Sequence, residues 1–263
     1  MPARRLAVVT GASAGIGEAF ARALAKQGWD LLLVARRRAR LGKLARELSD
    51  RHRIQAEVIA ADLTRLARLR AVEAVLERSR RLELLVNNAG LGDFHPFHES
   101  DREREDAEIR VNVLAAVRLA HAALPGMVRR KRGALINVSS TAAFAPCARF
   151  ATYGGTKAFM NSWSEALHEE LRGTGVRVQA LCPGLTHTEI FERAKVDTSQ
   201  LPEFFWMQPD DVVAESLAAL EKGELIVVPG VANRALSTLS RALPHAASSR
   251  IASFFSNRWM PED

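Results

Sequence analysis

The sequence contains little cysteine: only Cys147 and Cys182 are present among its 263 residues. Two cysteines do not make a disulfide framework or a metal-ligand cluster. The loop histidines His95, His98 and His187 show no metal-ligand spacing either and are expected on loops or at the rim of a pocket. We therefore expect a protein of the reducing cytoplasm that holds no metal.

Long apolar runs are also absent. No stretch approaches the roughly 20 apolar residues of a bilayer span, and the N-terminus enters the first predicted strand without room for a signal peptide. No linker, repeat or low-complexity tract divides the chain. We expect a soluble single domain over residues 1–263, with a cofactor and catalytic core at 1–185, a substrate lid at 186–210 and an amphipathic C-terminal extension at 230–263.

The chain lacks the concentrated positive charge of a nucleic-acid-binding protein. Its formal net charge is +7, but the basic residues are dispersed and mixed with acids. This pattern is typical of a basic solvated surface, so no nucleic-acid partner is expected. Two basic runs stand out, at 36–38 and 129–132, and only the first lies where its charge suggests chemistry.

Short apolar runs alternate with helical patterns along the whole chain. Runs of Val, Ile and Leu without polar alternation are typical of parallel strands buried on both faces. The pattern predicts an α/β fold of the Rossmann type, a doubly wound parallel seven-stranded sheet with helices on both faces. The predicted strands cover residues 6–9, 31–34, 56–60, 84–86, 134–138, 176–181 and 225–228.

A glycine-rich turn with the spacing G-x-x-x-G-x-G follows the first predicted strand and leads into a helix-forming stretch. Glycine permits a tight turn and close approach of the backbone to a pyrophosphate, and free N–H groups at a helix N-terminus bind anions. The spacing departs from the common G-x-G-x-x-G fingerprint, and such a turn alone is a weak signal. The predicted phosphate-binding residues are Gly11, Ser13, Ala14, Gly15, Ile16 and Gly17.

Tyr153 and Lys157 are four residues apart, and Ser140 lies upstream of them. On a helix this spacing puts the phenol and the ammonium on one face, where the positive charge favours the phenolate. An unperturbed phenol titrates at about 10 and needs such help to exchange protons at neutral pH. Because the pair also occurs by chance on solvated helices, it indicates a redox enzyme only together with the glycine-rich turn.

Taken together, these motifs resemble the short-chain dehydrogenases/reductases over nearly the whole chain. Residues 10–17 match the T-G-x-x-x-G-I-G motif of that family, and residues 183–188 match P-G-x-x-x-T. In detail the chain resembles a bacterial, NADP-preferring branch whose second strand ends in V-A-R-R. Between the two motifs stand, in the family's order, Asp62-Leu63, Asn87-Asn88-Ala89-Gly90, Asn112, Ser139-Ser140 and the pair of Tyr153 and Lys157.

The resemblance implies roles for these residues. Tyr153 would give or take the substrate proton, and Ser140 would orient and polarise the substrate oxygen. Lys157 would hydrogen-bond the nicotinamide ribose and lower the proton affinity of the phenol. Asn112 would hold a water that relays protons to the lysine, or would be a core amide with satisfied hydrogen bonds. The remaining expected cofactor contacts are Asp62, Leu63, Asn88, Ala89, Gly90, Pro183, Gly184, Leu185 and Thr188, of which the last two would hold the carboxamide.

Three of the family positions have structural alternatives. Asp62, expected near the adenine, could instead form an Asx turn or N-cap before the helix predicted near Leu66. Asn87 could serve only to stabilise the central sheet. Ser139 competes with Ser140, but alternation across the pleat brings only one of them to the cofactor, and the family spacing to the tyrosine selects Ser140.

The second predicted strand lacks the acidic residue with which an NAD-preferring enzyme binds the adenosine ribose. Ala35 holds that position, and Arg36 and Arg37 follow it. Guanidinium groups suit a 2′-phosphate, so the sequence predicts NADP (NADPH) in preference to NAD, with Arg36 as the first candidate. The alternative is a solvated charge run. Asp30 precedes the strand and is expected to be a turn residue.

The lid segment after Thr188 is rich in apolar side chains, which suggests an apolar substrate that is lipid-like, steroid-like or aromatic. Alternatively, these side chains only close the active site or cap the core. Their pattern does not identify the substrate. The lid residues in question are Phe191, Leu201, Phe204, Phe205, Trp206 and Met207, and those on neighbouring loops are Phe94, Phe97, Phe144 and Phe150.

Beyond Gly230, leucine and phenylalanine recur at helical intervals among arginines, and Pro244 divides the pattern into two short helices. This amphipathic, basic segment could pack on its own domain, form a subunit interface or rest on an anionic membrane. Packing on its own domain or on a subunit is favoured over the membrane. The resemblance also implies a homo-oligomer, a dimer or tetramer, formed through the helices that carry Asn112 and Tyr153.

The sequence therefore predicts an NADP(H)-dependent oxidoreductase that interconverts a carbonyl and a secondary alcohol on an apolar small molecule. Two alternatives remain. The first is a catalytically silent dinucleotide-binding sensor or interaction module, which would have no need of the serine, tyrosine and lysine together. The second is a nucleotide-fold transferase such as a methyltransferase, which does not need the tyrosine and lysine pair.

Overall fold

The computed structural model describes residues 4–194, 196–198 and 201–259. Positions 195, 199 and 200 of the predicted lid and the last four residues of the predicted extension lie outside the described residues. In the described part, seven strands form one parallel sheet in the order β3-β2-β1-β4-β5-β6-β7, as the sequence predicts. They are β1 (Leu6–Thr10), β2 (Asp30–Ala35), β3 (Ala56–Ala60), β4 (Leu82–Asn87), β5 (Gly133–Val138), β6 (Val176–Leu181) and β7 (Ile226–Val227).

Helices cover both faces of this sheet because alternate residues of each strand point to opposite sides. Val9 and Leu33 belong to one hydrophobic core, whereas their neighbours Val8 and Leu32 belong to the other. The helices are α1 (Gly15–Lys26), α2 (Arg38–His52), α3 (Leu66–Arg78), α4 (Arg102–Ile109), α5 (Ala116–Arg129), α6 (Ala151–Glu170), α7 (Ile190–Arg193), α8 (Pro209–Lys222), α9 (Val231–Ala242) and α10 (His245–Trp259).

The strand order determines where a ligand can bind. β1 pairs with β2 on one side and with β4 on the other, so the chain reverses its winding direction between β1 and β4. In open α/β sheets, ligands bind at the carboxyl ends of the strands beside such a switch point. The loops after β1, β2, β4 and β5 all begin at this edge and carry the predicted site residues.

One continuous helix contains a long apolar stretch. A π-helical turn, Arg110–Ala115, joins α4 to α5, and the continuous helix Arg102–Arg129 holds an 18-residue window of mean hydropathy 1.4, 44% of it buried. By length and composition this helix could cross a membrane, so the expectation that no apolar stretch approaches that length is wrong here. A core helix passes the same test, and Leu119 and Met127 of this helix lie in the second core.

Asp30 differs from its predicted role. It is the first residue of β2 and only 2% exposed, not a turn residue. Its Oδ2 atom pairs with Arg81 Nη1 at 2.6 Å, and its Oδ1 atom accepts the backbone N–H of Gln55 at 2.9 Å. A buried carboxylate is tolerated because both oxygens have partners. Asp30 lies at the edge of the sheet opposite the predicted site, as expected from its position before the strand.

Candidate active site

A cavity of about 1220 Å³ opens at the carboxyl edge of the sheet. It is bounded by the glycine-rich turn, the ends of β2, β4 and β5, the start of α6, the lid and the C-terminal helices. All the predicted catalytic and cofactor residues line it except Gly17 and Asn112, which are buried behind the wall. The fold therefore brings together residues that are far apart in the sequence.

The glycine-rich turn needs its three glycines for steric reasons, and two of them also have a positive φ. Gly11 has φ +67°, and a Cβ atom there would lie 2.6 Å from Asn88 Nδ2. Gly15 has φ +55°, and its Cβ would lie 2.8 Å from Thr188 Cγ2. Both the backbone angles and the close neighbours exclude a side chain. The turn can therefore lie against the loop after β4 and against the start of the lid.

Thr10 connects this turn to the loop after β4, a role that the motif comparison did not specify. Its Oγ1 atom accepts the N–H groups of Asn88 and Ala89 at 3.0 and 2.9 Å and donates to the Val86 carbonyl oxygen at 3.2 Å. Asn88 Nδ2 in turn donates to the Thr10 carbonyl oxygen at 2.8 Å. These bonds fix the relative position of the turn and of the predicted ribose loop.

The residues at this end of the cavity fit the phosphates of a dinucleotide. α1 starts at the turn with Ala14 as its N-cap residue, which has no side-chain acceptor to occupy the free N–H groups of the helix. Arg37 donates from Nε and Nη2 to Ser13 Oγ at 3.1 and 3.0 Å. Arg36 lines the same cavity but is exposed. The structure therefore puts Arg37, not Arg36, in direct contact with the glycine-rich turn.

Asp62 follows β3 and lines the same cavity. Its Oδ1 atom accepts the backbone N–H of Thr64 at 3.1 Å and the hydroxyl of Thr64 at 2.8 Å. This is the Asx turn that the sequence left open as an alternative, and α3 begins at Leu66 as predicted. The turn and the cavity position occur together, because Oδ1 makes the turn while the residue still faces the cavity.

Tyr153 and Lys157 lie on one face of α6, and both are buried. Lys157 donates from Nζ to the Val138 carbonyl oxygen at 2.9 Å, and its Nζ lies 5.5 Å from the centroid of the Tyr153 ring. Ser139 donates to the Lys157 carbonyl oxygen at 2.9 Å and so holds α6 against β5. Ser140 instead hydrogen-bonds the Tyr153 hydroxyl. Both serines line the cavity, so the assignment of the substrate contact to Ser140 stays a prediction.

The pKa values in this group follow burial. Burial raises the pKa of Tyr153 to about 12, although its hydrogen bond with Ser140 acts in the opposite direction and the charge of Glu108 adds to the rise. Burial lowers the pKa of Lys157 to about 8. In this arrangement the ammonium group of Lys157 is directed at the Val138 carbonyl oxygen, and the lowering of the tyrosine pKa by Lys157 stays a prediction of the family resemblance.

Asn112 lies in the π-helical turn and binds the loop after β4. Its Oδ1 accepts the N–H of Leu91 at 2.9 Å, and its Nδ2 donates to the carbonyl oxygen of Leu91 at 2.9 Å and to Thr156 Oγ1 at 3.0 Å. All its hydrogen-bonding groups are used, as in the core-amide alternative. Gly90 lies beside it, where a Cβ atom would be 3.4 Å from Asn112 Oδ1 and 3.7 Å from Lys157 Nζ. The relay role remains an expectation of the family resemblance.

Glu108 is a residue of this site that motif reading missed. It lies one turn before Asn112 on the same helix, is 1% exposed, and accepts the N–H of Asp93 on Oε2 at 2.8 Å. Its Oε1 has no hydrogen-bond partner among the described residues. Burial raises the pKa of Glu108 to about 8. The i, i+4 spacing to Asn112 was the available signal.

Aromatic rings form the wall beside Tyr153. The ring centroid of Phe94 lies 5.2 Å from that of Tyr153, 4.7 Å from that of Phe150 and 5.4 Å from that of Phe191. These rings belong to three separate segments and form a third, small hydrophobic cluster. Phe97 is 63% exposed, so its predicted place in the pocket is wrong. It lies in a single 3₁₀ turn after Pro96 that directs it to solvent.

The lid and the C-terminal helices complete the outer wall. His187 lies on a loop, as expected, and stacks on Trp206 of the lid with ring centroids 4.9 Å apart. α9 and α10 are separated at Pro244, as predicted, and Leu236 and Ile251 line the cavity. No group of histidine, cysteine or acidic residues with the arrangement of a metal site occurs among the residues that the structure describes.

The comparisons with known proteins agree with this geometry. The family model described as short chain dehydrogenase matches residues 5–198. This match covers more than half of the chain, and the protein therefore belongs to the short-chain dehydrogenase family. Its members are oxidoreductases with a nicotinamide dinucleotide cofactor and small-molecule substrates.

Two solved structures are similar over most of the chain. A short-chain dehydrogenase from Sphingobium yanoikuyae in complex with NADPH is 39% identical with a TM-score of 0.84, over 90% of this chain and 94% of that chain. The bulky-bulky ketone specific alcohol dehydrogenase from Comamonas testosteroni is 31% identical with a TM-score of 0.79, over 92% of this chain and 96% of that chain.

A human relative is described as inactive, unlike the two dehydrogenases above. The inactive hydroxysteroid dehydrogenase-like protein 1 of Homo sapiens is 34% identical over 68% of this chain and 55% of its own length. Similarity to the family therefore does not by itself imply turnover, and the catalytic residues of this chain have to be judged on their own geometry.

Proposed function

We propose that this protein is an NADP(H)-dependent oxidoreductase that interconverts a carbonyl and a secondary alcohol on a bulky apolar small molecule, with Tyr153 as general acid and base. The position of Tyr153 carries the proposal. Its hydroxyl is bonded to Ser140, and its ring packs edge-on against Phe94 with centroids 5.2 Å apart. The same cavity reaches the glycine-rich turn and Arg37 at its other end.

The side chains around Tyr153 suit proton exchange with a substrate oxygen. When bound, the nicotinamide supplies or accepts a hydride. Ser140 hydrogen-bonds the substrate oxygen and orients it toward Tyr153. In reduction Tyr153 donates its proton to that oxygen, and in oxidation it removes one. Because its pKa is raised to about 12, the phenol holds its proton at neutral pH and is ready to act as the acid.

Lys157 supplies positive charge to the phenol when it is protonated. Its pKa of about 8 means that the ammonium form predominates below that pH and is lost above it. The charge favours the phenolate that oxidation requires. Asn112 and Glu108 hold the loop at Leu91 and Asp93 beside this pair. Their bonds keep the cavity wall in place while the proton moves.

The NADP preference is supported by the groups at the adenosine end. Arg37 contacts Ser13 of the glycine-rich turn, and Ala35 leaves the end of β2 without an acid that would repel a 2′-phosphate. The similar Sphingobium yanoikuyae structure contains NADPH. A bulky apolar substrate is supported by the ring cluster of Phe94, Phe150 and Phe191, and by similarity to an alcohol dehydrogenase specific for bulky-bulky ketones.

Tyr153→Phe separates this function from a silent dinucleotide-binding sensor, which the inactive human relative brings into consideration. We expect the variant to bind NADPH as the wild type does by calorimetry but to reduce bulky apolar ketones about 10²–10⁴-fold more slowly, because the general acid is lost. Ser139→Ala is the matched control, since Ser139 bonds the Lys157 carbonyl oxygen and not the substrate oxygen. Equal turnover in wild type and Tyr153→Phe would contradict the proposed chemistry.

We further propose that the protein is a cytoplasmic homo-oligomer that associates through the helices carrying Asn112 and Tyr153. Large apolar side chains on these helices are exposed in one chain, namely Leu114 at 44% and Phe159 at 41%. A second copy would bury them. Light scattering at micromolar concentration should give the mass of a dimer or tetramer, and a monomeric mass would overturn this assignment.

A contact of α9 and α10 with a membrane is a secondary proposal. It is motivated by Phe254, whose side chain is 65% exposed.

A further inference from the structure

Glu189, at the start of the lid, lies among three arginines. Its Oε2 atom pairs with Arg37 Nη1 at 2.8 Å, and its Oε1 atom pairs with Arg40 Nη1 at 2.6 Å. Arg193, one turn further along the lid, also pairs with Oε2. Residue 189 follows Thr188 directly, whereas Arg37 and Arg40 lie at and beyond the end of β2. The carboxylate therefore links the lid to the adenosine end of the cavity.

The donors of Arg37 are divided between this carboxylate and the glycine-rich turn. Nε donates to Ser13 Oγ, and Nη2 donates to the Ser13 carbonyl oxygen at 3.0 Å. Nη1 is therefore the guanidinium nitrogen that remains to bind an anion. Glu189 accepts a hydrogen bond from that nitrogen. An adenosine 2′-phosphate approaching Ser13 and Arg37 needs the same donor, because phosphate binds guanidinium groups through the same fork as a carboxylate. Glu189 and the 2′-phosphate therefore compete for this nitrogen.

The charges at this cluster suit a dianion better than a carboxylate. Three guanidinium groups face one carboxylate, which leaves a net positive charge. Burial opposes ionisation of Glu189, but hydrogen bonds from Arg40, Arg193 and Arg37 lower its pKa to about 2. The carboxylate is therefore charged throughout the working pH range and does not leave by protonation. Only a competing anion removes it from the arginines.

Release of Glu189 also affects the substrate end. The next residues form α7 (Ile190–Arg193), in which Phe191 packs against Phe94 beside Tyr153. Movement of Glu189 shifts the attachment of this short helix to the rest of the chain. A cofactor with a 2′-phosphate would release the lid from Arg37, whereas one without it would leave the link intact.

We propose that Glu189 is a specificity-determining residue that competes with the cofactor 2′-phosphate for Arg37 and Arg40. The inference rests on the proposed NADP dependence and goes beyond it. Glu189 reduces the affinity for the phosphorylated cofactor and couples its binding to release of the lid. Cofactors without the phosphate do not compete with Glu189 and are not affected.

The test is calorimetric binding of NADPH and NADH to wild type, Glu189→Gln and Glu192→Gln. Glu192 is the matched control, since it is exposed and lies in the short helix that follows Glu189, and its substitution removes the same charge. We expect Glu189→Gln to bind NADPH about fivefold to tenfold more tightly than wild type, because partly exposed ion pairs contribute modestly and the competitor is removed. NADH affinity should change by less than about twofold, and Glu192→Gln should resemble wild type.

The outcomes separate this proposal from the one on which it rests. If wild type prefers NADPH but Glu189→Gln binds it no more tightly, competition by Glu189 is wrong while the cofactor assignment stands. Weaker NADPH binding in Glu189→Gln would overturn the proposal in the same way, because the carboxylate would then organise the arginines instead of competing for them. If wild type binds NADPH no better than NADH and Glu189→Gln also binds NADPH no more tightly, both proposals are overturned.

Discussion

At one end of the cavity the wall consists of backbone, hydroxyl and guanidinium groups on turns that directly follow strands. Ser13 and Arg37 come from the turns after β1 and β2 and bond each other. At the other end the wall consists of Phe94, Phe150 and Phe191, from three distant segments. The cofactor end is thus fixed by the sheet itself, whereas the substrate end depends on how loops pack. A protein family can therefore keep the cofactor end and vary the substrate end.

One added methyl group in the glycine-rich turn should destabilise the cofactor end. Gly11→Ala should destabilise the fold by about 2–4 kcal/mol, because φ is positive and the added Cβ would lie 2.6 Å from Asn88 Nδ2. Gly155→Ala is the matched control near the substrate end. Gly155 lies inside α6 with nothing within 4 Å of its Cβ position, so alanine should stabilise by about 0.5–1 kcal/mol.

Urea unfolding followed by circular dichroism measures both changes. If Gly11→Ala were as stable as wild type, the close contact between the glycine-rich turn and the loop after β4 would not exist in solution. If Gly155→Ala were strongly destabilised, the space above that residue on α6 would be filled, for example by a second copy of the chain.

The two arginines after β2 sharpen the comparison within the cofactor end. Arg37→Ala should weaken NADPH binding about 10-fold to 100-fold and leave NADH binding nearly unchanged, because Arg37 bonds Ser13 where the phosphate is expected. Arg36→Ala should have the smaller effect, since Arg36 is exposed. Calorimetry with NADPH and NADH measures the effect of each substitution on cofactor affinity. A larger loss in Arg36→Ala would favour the ranking that the sequence alone suggests.

Glu108, between the two ends, should make stability depend on pH. Its pKa is raised from 4.5 to about 8, so the folded protein binds a proton that the unfolded chain releases between these values. The contribution of Glu108 to stability should therefore fall as pH rises from 4.5 to 8 and be constant above that range. Glu108→Gln should remove about 1–2 kcal/mol of this fall, measured as unfolding free energy at several pH values. The same fall in the variant would rule Glu108 out as its source.

The difference between the two ends also explains what could be predicted. Residues 10–17 and the seven strands are local patterns, in which hydrophobic runs and glycine spacing are visible in consecutive residues. Phe97 could not be placed in the same way. Only two residues separate it from Phe94, yet the Phe94 ring is 2% exposed and the Phe97 ring is 63% exposed. Glu189 and Glu108 were missed because their partners are distant in sequence or are backbone groups.

The most direct test uses the fact that Tyr153 is the one tyrosine in the chain. The absorbance of tyrosinate therefore reports on this residue alone during a pH titration. We expect a pKa of about 12 without added nucleotide and a lower value with saturating NADP⁺, because a bound nicotinamide cation near the phenol would favour the phenolate. A phenol that titrates at about 10 in both conditions would contradict the account, since it would be neither buried nor next to the cofactor.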